Sequence, residues 1–221
     1  MIIFDVDGTL IGGESTDWKC FDKAFEESSG TALTSELFST NSEMTAQAIV
    51  HQALGDMGSE EKKEIEIKTC SSYVRNLNNA LNADGGAFPV MPGARELMQS
   101  IQETGIPIAI ATGNWRESAL VKLDAAGICL GDIPLVTASD YYSRSDIIRA
   151  AIEKAGERIK ESVYVGDGVW DLLATRKIGI SFIGCGTRTE ELRDSGAKYI
   201  LDDFDIECFW NIYREITESN K

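Results

Sequence analysis

Residues Met1 to Gly13 read MIIFDVDGTLIGG. Four apolar residues, Met1 to Phe4, run straight into Asp5, Val6, Asp7, Gly8 and Thr9. The apolar run predicts a buried strand. In an extended chain, residues two apart point to the same side, so Asp5 and Asp7 crowd two negative charges together. Such neighbours resist joint ionisation unless a proton or a cation relieves them. The stretch therefore asks for a divalent metal, a shared proton, or both.

Moving outward, the pattern from about Asp17 to Leu81 is helical, with no convincing strand. Trp18, Phe21, Ala24 and Phe25 recur at three- and four-residue steps, with Asp17 read as the N-cap and Gly30 as the stop. Two more helices follow, SEMTAQAIVHQALG and SEEKKEIEIKTCSSYVRNLNNAL, for which Ser42 and Ser59 are the candidate caps. The segment ADGGAFPVMPG reads as a connector. After Pro92 the style changes to strands alternating with helices: IPIAIAT, IPLVTA, SVYVGD, ISFIGCG and AKYIL are the strands. That alternation implies βαβ units and a parallel sheet. The first strand must join this sheet, because it cannot bury itself among helices alone. The expectation is an α/β protein with a Rossmann-like parallel sheet core, residues 1–14 and 88–221, and an inserted α-helical cap, residues 15–87.

In open parallel sheets, sites form beyond the carboxyl ends of the strands. Asp5-Val6-Asp7-Gly8-Thr9 follows the first strand, and Thr112-Gly113-Asn114 follows IPIAIA. Arg144, between Ser143 and Ser145, stands just before the helix DIIRAAIE. Gly166-Asp167-Gly168-Val169-Trp170-Asp171 follows SVYV. The polar groups most awkward for a core thus gather at one end of the sheet.

The order DxDGTL, a strand ending in Thr, a basic residue at a helix start, then GDxxxD resembles the haloacid dehalogenase-like (HAD) superfamily, nearest to its phosphoglycolate phosphatase-like branch. The resemblance covers residues 1–12 and about 90–205, and the placement of a helical cap between the first two motifs, though not the cap's sequence. It implies that Asp5 is a nucleophile that becomes an aspartyl phosphate, a role that suits a group ionised at neutral pH. It implies that Asp7 is the general acid and then the base. The implied ion is Mg²⁺, bound by the Asp5 side chain, the Asp7 backbone carbonyl and Asp167, with Asp171 ligating directly or through water; hard oxygen ligands fit that ion. Thr112 and the amides around Gly113 and Asn114 would hold phosphate oxygens. The family's usual lysine in a GKP-like stretch is absent. Arg144 is the stand-in, with Arg149 and Lys122 weaker candidates because both fall within helices.

The reading is a Mg²⁺-dependent phosphatase acting on a small phosphorylated metabolite, with a phosphomutase on the same scaffold as the alternative. A dehalogenase has no phosphoryl leaving group to protonate, so Asp7 argues against it. A phosphonate hydrolase would need a Schiff-base lysine from the cap, and the setting of Lys19 gives no support. A catalytically inactive binding module is disfavoured because Asp5, Asp7, Thr112 and Asp167 are all present. Polar cap residues near NSEMT, Glu43 and Thr45, are expected to touch the leaving group. Trp115 and Trp170 read as packing residues, and His51, the single histidine, as structural or exposed.

The bulk numbers are consistent with this. The 221 residues suffice for one substantial core or a core with an insertion. Lys and Arg total 21 against 36 Asp and Glu, a formal charge of -15. That balance disfavours nucleic acid and acidic membranes as partners, without excluding a small anion held by a metal and local cations. The five cysteines are scattered, without metal-ligand spacing or a disulfide framework, and each reads as a small buried apolar residue. The chain starts directly with a strand and has no apolar run of membrane-spanning length, so the expected setting is cytoplasmic and reduced. No coiled-coil heptad or outsized apolar stripe marks an oligomer interface, and the oligomeric state stays open.

Overall fold

The computed structural model describes residues 1–34, 37 and 43–219. Its centre is a parallel sheet in the order β3-β2-β1-β4-β5-β6. These strands are β1 (Ile2–Phe4), β2 (Ile108–Ala111), β3 (Leu135–Val136), β4 (Val163–Gly166), β5 (Ser181–Gly184) and β6 (Tyr199–Ile200). The opening strand is central: Ile2 stands beside Ile108 on one flank and Val163 on the other. All three residues of β1 are fully buried, which explains an unbroken apolar run in place of alternation. Strand order reverses between β1 and β4, and such a reversal opens a crevice at the carboxyl ends of the strands. Asp5, Thr112 and Asp167 follow the three central strands into that crevice.

Between β1 and β2 lie α1 (Glu14–Ser29), α2 (Ala46–Ala53), α3 (Ser59–Ala83) and α4 (Ala94–Glu103). The later helices are α5 (Arg116–Ala125), α6 (Arg144–Lys154), α7 (Val169–Ile178), α8 (Thr189–Asp194) and α9 (Ile206–Ser219). α1 packs along α3, and α3 reaches α5. The two chain segments that enter and leave the first three helices run side by side: Gly12 N donates to Pro89 O and Met91 N to Leu10 O.

Several local expectations are corrected. α1 starts at Glu14 after a left-handed Gly13, so Asp17 is not its N-cap and its carboxylate is free for other work. Gly30 does end α1, in the left-handed conformation that favours glycine. Thr45 caps α2 by accepting from Ala48 N; Ser42 lies outside the described residues. Ser59 is the first helical residue of α3, behind Gly58. Cys129 and Cys208 are exposed, whereas Cys20 and Cys185 are buried as expected. The C-terminal helix α9 was not anticipated; it buries Phe209 and Ile216, and Trp210 Nε1 donates to Ser100. Among the described residues, no helix is long and apolar enough to cross a membrane.

Candidate active site

The crevice holds a cavity of about 90 Å³. Its floor is polar and includes Asp5, Asp7, Thr112, Gly113, Asn114 and Arg144. Opposite stand apolar side chains of the inserted helices and of the segment before α2: Trp18, Phe21, Met44, Ala46 and Ile49. Glu14, Asp17, Tyr73, Trp170 and Arg188 complete the wall.

The turn after β1 is built around Gly8, whose φ of +76° favours glycine. A Cβ there would also overlap the Asp167 carboxylate. The residue is therefore small so that the DxDG loop can lie against the end of β4. Gly113 has the same meaning on the other side, where a Cβ would collide with Arg144 and the Met44 carbonyl.

Three carboxylates converge at the floor. One oxygen from each of Asp5, Asp167 and Asp171 lies within 4.8 Å of the others, and all three residues are buried. Asp171 is well held: it accepts from Arg144 Nη1 at 2.7 Å, Tyr164 Oη at 3.2 Å and Gly168 N at 3.1 Å. Asp5 Oδ1 and Asp167 Oδ1 are buried without any hydrogen-bond partner. Asp167 meets Arg188 through its other oxygen, and Arg144 Nη1 stands 3.5 Å from Asp5 Oδ1. Burial, with the Asp171 charge adding to it, pushes the Asp5 carboxyl up to about 8 against the pull of Arg144. Burial likewise raises Asp167, opposed by Arg188, and Asp171, opposed by Arg144. Two orphaned anionic oxygens in an all-oxygen donor set fit a hard divalent cation.

Asp7 faces away from this trio. Its Oδ1 accepts from Lys122 Nζ at 2.5 Å, and its Oδ2 accepts from the Asn114 amide. Lys122 lies within α5 as expected, yet it is fully buried. It bridges Asp7 to Asp17 Oδ1 at 2.9 Å, and Tyr73 Oη donates to that same oxygen at 2.5 Å. Burial raises the Asp7 carboxyl to about 6, tempered by the Lys122 ammonium. Burial works against the lysine charge, but Asp17 and Asp7 together outweigh it and raise the ammonium above its ordinary range.

The eight site residues named from the sequence divide cleanly. Asp5, Asp167 and Asp171 meet; Thr112, Gly113, Asn114 and Arg144 surround them; the Asp7 carboxylate joins a different network. Thr112 Oγ1 accepts from Asn114 N at 3.2 Å. Arg144 opens α6 and is buried, with Nη2 donating to Met44 O at 2.7 Å and Nε to Glu43 O at 3.2 Å. Arg149 pairs with Asp146 and does not line the cavity. Glu43 and Thr45 do not line it either: the Glu43 carboxylate accepts from Arg144 N, and Thr45 donates to Tyr142 O. Their neighbour Met44 lines the cavity instead.

Trp115 is a packing residue, buried and stacked on Phe21, whereas Trp170 lines the cavity beneath Arg188. His51 pairs with Glu66 at 2.8 Å, away from the site, and Lys19 is exposed. Asp17, Tyr73, Glu14 and Arg188 were missed as site residues, and Lys122, weighed only as a weaker candidate for the phosphate-binding cation, joins Asp7 to Asp17 instead. Arg188 follows the carboxyl end of β5, where reading past each strand would have reached it. Lys122 shares the buried face of α5 with Ala119 and Leu123, and a lysine in that register is itself a signal.

Comparison with known proteins agrees with this fold. Residues 2–185 match the family model described as haloacid dehalogenase-like hydrolase. The phosphoserine phosphatase of Campylobacter jejuni subsp. doylei is 26% identical, over 93% of this chain and 95% of its own. The phosphoglycolate phosphatase of Agrobacterium fabrum is 26% identical across 51% of each chain, so that match spans about half of that relative. The solved β-phosphoglucomutase of Clostridium difficile superposes with a TM-score of 0.77 at 16% identity, covering 98% of both chains, which speaks to the fold. With the family match spanning most of its length, the chain belongs to the haloacid dehalogenase-like hydrolases.

Proposed function

We propose that this chain is a Mg²⁺-dependent phosphatase of a small phosphorylated metabolite, working through an aspartyl phosphate on Asp5, with residues 15–87 acting as the cap. The observation that carries the reading is the orphaned Asp5 Oδ1 beside the orphaned Asp167 Oδ1, with Arg144 at 3.5 Å, at the floor of a cavity. Asp5, Asp167 and Asp171 would hold the cation, which when bound offsets the negative charge of the phosphoryl group and of the carboxylates around it.

Asp5 attacks phosphorus, and the bond from phosphorus to the leaving oxygen breaks as the acyl phosphate forms. Asp7 stands two residues along and gives its proton to the departing alkoxide. For this its Asn114 contact gives way to the leaving oxygen. A carboxyl raised to about 6 is still partly protonated near neutral pH, which suits a group that must first give a proton and then take one from water. That water attacks phosphorus, releases Asp5 and yields orthophosphate. Thr112, Gly113, Asn114 and Arg144 surround the position the phosphoryl oxygens would occupy, and Arg144 supplies the charge that a family lysine usually brings.

The test is phosphate release from a panel of phosphorylated metabolites, with Mg²⁺ or EDTA, for wild type beside Asp5→Asn. Release that needs the metal and vanishes in the variant is expected. No release from any compound by folded, metal-loaded protein would overturn the reading. Transfer between two positions of a sugar phosphate, with little free phosphate, would replace it with a phosphomutase.

A further inference from the structure

The wall of the cavity carries a second message, concerning the part of the substrate that leaves. Among the described residues, the cations lining the cavity are Arg144 and Arg188. Arg144 is committed to Asp171, and Arg188 bridges Asp167 and Glu14. Lys122, behind the wall, is shared by Asp7 and Asp17. The stretch between Thr34 and Glu43 that contains the undescribed cap residues holds no Lys or Arg in its sequence. Glu14 and Asp17, paired with Arg188 and Lys122, add two carboxylates to the lining of a cavity that Phe21, Ala46 and Ile49 also line.

From this we infer that the enzyme selects phosphate monoesters of small, uncharged, largely apolar alcohols and discriminates against substrates with a second anionic group, Glu14 being the residue that enforces it. The inference rests on the phosphatase reading above and names the substrate class of that same site. A carboxylate or second phosphate on the leaving group would meet no uncommitted cation on the wall, and it would lie against Glu14 and Asp17 in a site of reduced dielectric, where like charges repel strongly. An apolar leaving group loses nothing there and gains burial against Phe21 and Ile49.

The test has two arms on full-length, Mg²⁺-loaded protein. Calorimetry compares butylphosphonate with phosphonoacetate, which carry the same phosphorus group on an apolar chain or beside a carboxylate and need no turnover. Butylphosphonate should bind about tenfold more tightly, and Glu14→Gln should shrink that ratio at least about threefold by removing the repelling charge and releasing Arg188. Steady-state kinetics then compares butyl phosphate with 2-phosphoglycolate, where kcat/KM should favour the butyl ester to a similar degree. Tighter phosphonoacetate binding, or a ratio that Glu14→Gln leaves unmoved, overturns the inference even if both esters are hydrolysed. Hydrolysis of neither ester, with the phosphonate preference intact, instead overturns the phosphatase reading and leaves the selection by the wall standing.

Discussion

Two charged clusters share one cavity and are built on opposite plans. On the floor, Asp5, Asp167 and Asp171 leave two buried oxygens without a partner. On the side, Asp7, Asp17, Lys122 and Tyr73 hydrogen-bond one another, and Asn114 holds the second Asp7 oxygen. A buried anionic oxygen left bare costs several kcal/mol, so the floor is at odds with stability unless a ligand completes it. The side cluster needs nothing from solution. The difference separates a place that binds from a frame that holds a proton donor in position. It also ties the molecule together, because Asp17 and Tyr73 come from the inserted helices α1 and α3 whereas Asp7 and Lys122 belong to the sheet side.

The sharpest way to break this contrast is to neutralise one member of each cluster. Asp5→Asn removes the nucleophile and should lower phosphatase activity by at least about 10³-fold. The same change removes one of three crowded carboxylates, so at pH 9 without metal the variant should be no less stable than wild type in urea. A variant both inactive and strongly destabilised would show that the floor is a structural cluster after all.

Lys122→Met should behave in the opposite way. It leaves Asp7 and Asp17 facing each other without their shared cation, and breaking a buried pair from one side costs about 3–5 kcal/mol. Urea unfolding at pH 8, above the value of about 6 for Asp7, measures this directly. A loss under about 1 kcal/mol would mean that water solvates the cluster well enough to make the lysine dispensable.

The two clusters also differed in how far the sequence revealed them. Asp5, Thr112 and Asp167 follow apolar strands, and a parallel sheet brings strand ends together, so their gathering at one end was legible from pattern. Asp171 and Arg144 stand on helices beyond the strands, and their roles came from the resemblance to the family. The side cluster joins residues 7, 17, 73 and 122, from a loop and three helices whose mutual packing no periodicity encodes. Helix periodicity tells which face is buried, and Lys122 does lie on the buried face, but nothing local says that Asp17 waits opposite. Reading Asp17 as a cap concealed it further, because Gly13 starts α1 without a side-chain cap. α9 went unread because it follows the acidic stretch Asp202-Asp203-Phe204-Asp205 near the chain end, which looks like a tail until Phe209 and Ile216 are seen to be buried.

Metal and pH sharpen the comparison from another side. The Asp5 carboxyl is raised from its ordinary value to about 8, so the metal-free fold takes up a proton that the unfolded chain has already released. Its contribution to stability is fully present below about pH 4 and is lost as pH rises through about 8. Binding of Mg²⁺ requires the ionised form and runs the other way. Affinity should rise by at least about tenfold per unit between pH 6 and 8, since burial raises Asp167 and Asp171 as well. At pH 8, Mg²⁺ at 100 times its Kd should stabilise the protein by about 2.7 kcal/mol. Calorimetric titrations at pH 6, 7, 8 and 9 check the slope, and thermal unfolding with and without EDTA checks the gain. Affinity independent of pH across that range would place the ion on some other set of groups.

The smallest effect is expected from Tyr73→Phe, and its smallness is what makes it informative. The change removes one hydroxyl that donates to Asp17 at 2.5 Å and leaves the ring packed edge-on against Phe21. A hydrogen bond to a charged group contributes about 1.5 kcal/mol, so the urea midpoint should fall only slightly. Lys122 keeps its contacts to both Asp17 and Asp7, so the position of Asp7 is retained. The rate constant kcat should then drop by less than about tenfold, with KM unchanged, because the hydroxyl reaches the acid only indirectly, through Asp17, Lys122 and Asn114. A loss as large as that of Lys122→Met would show that the inserted helices, rather than the lysine, hold Asp7 in place. The side cluster would then be no self-sufficient frame but a contact that exists only while α3 is docked, and Asp7 would be positioned only in the closed state.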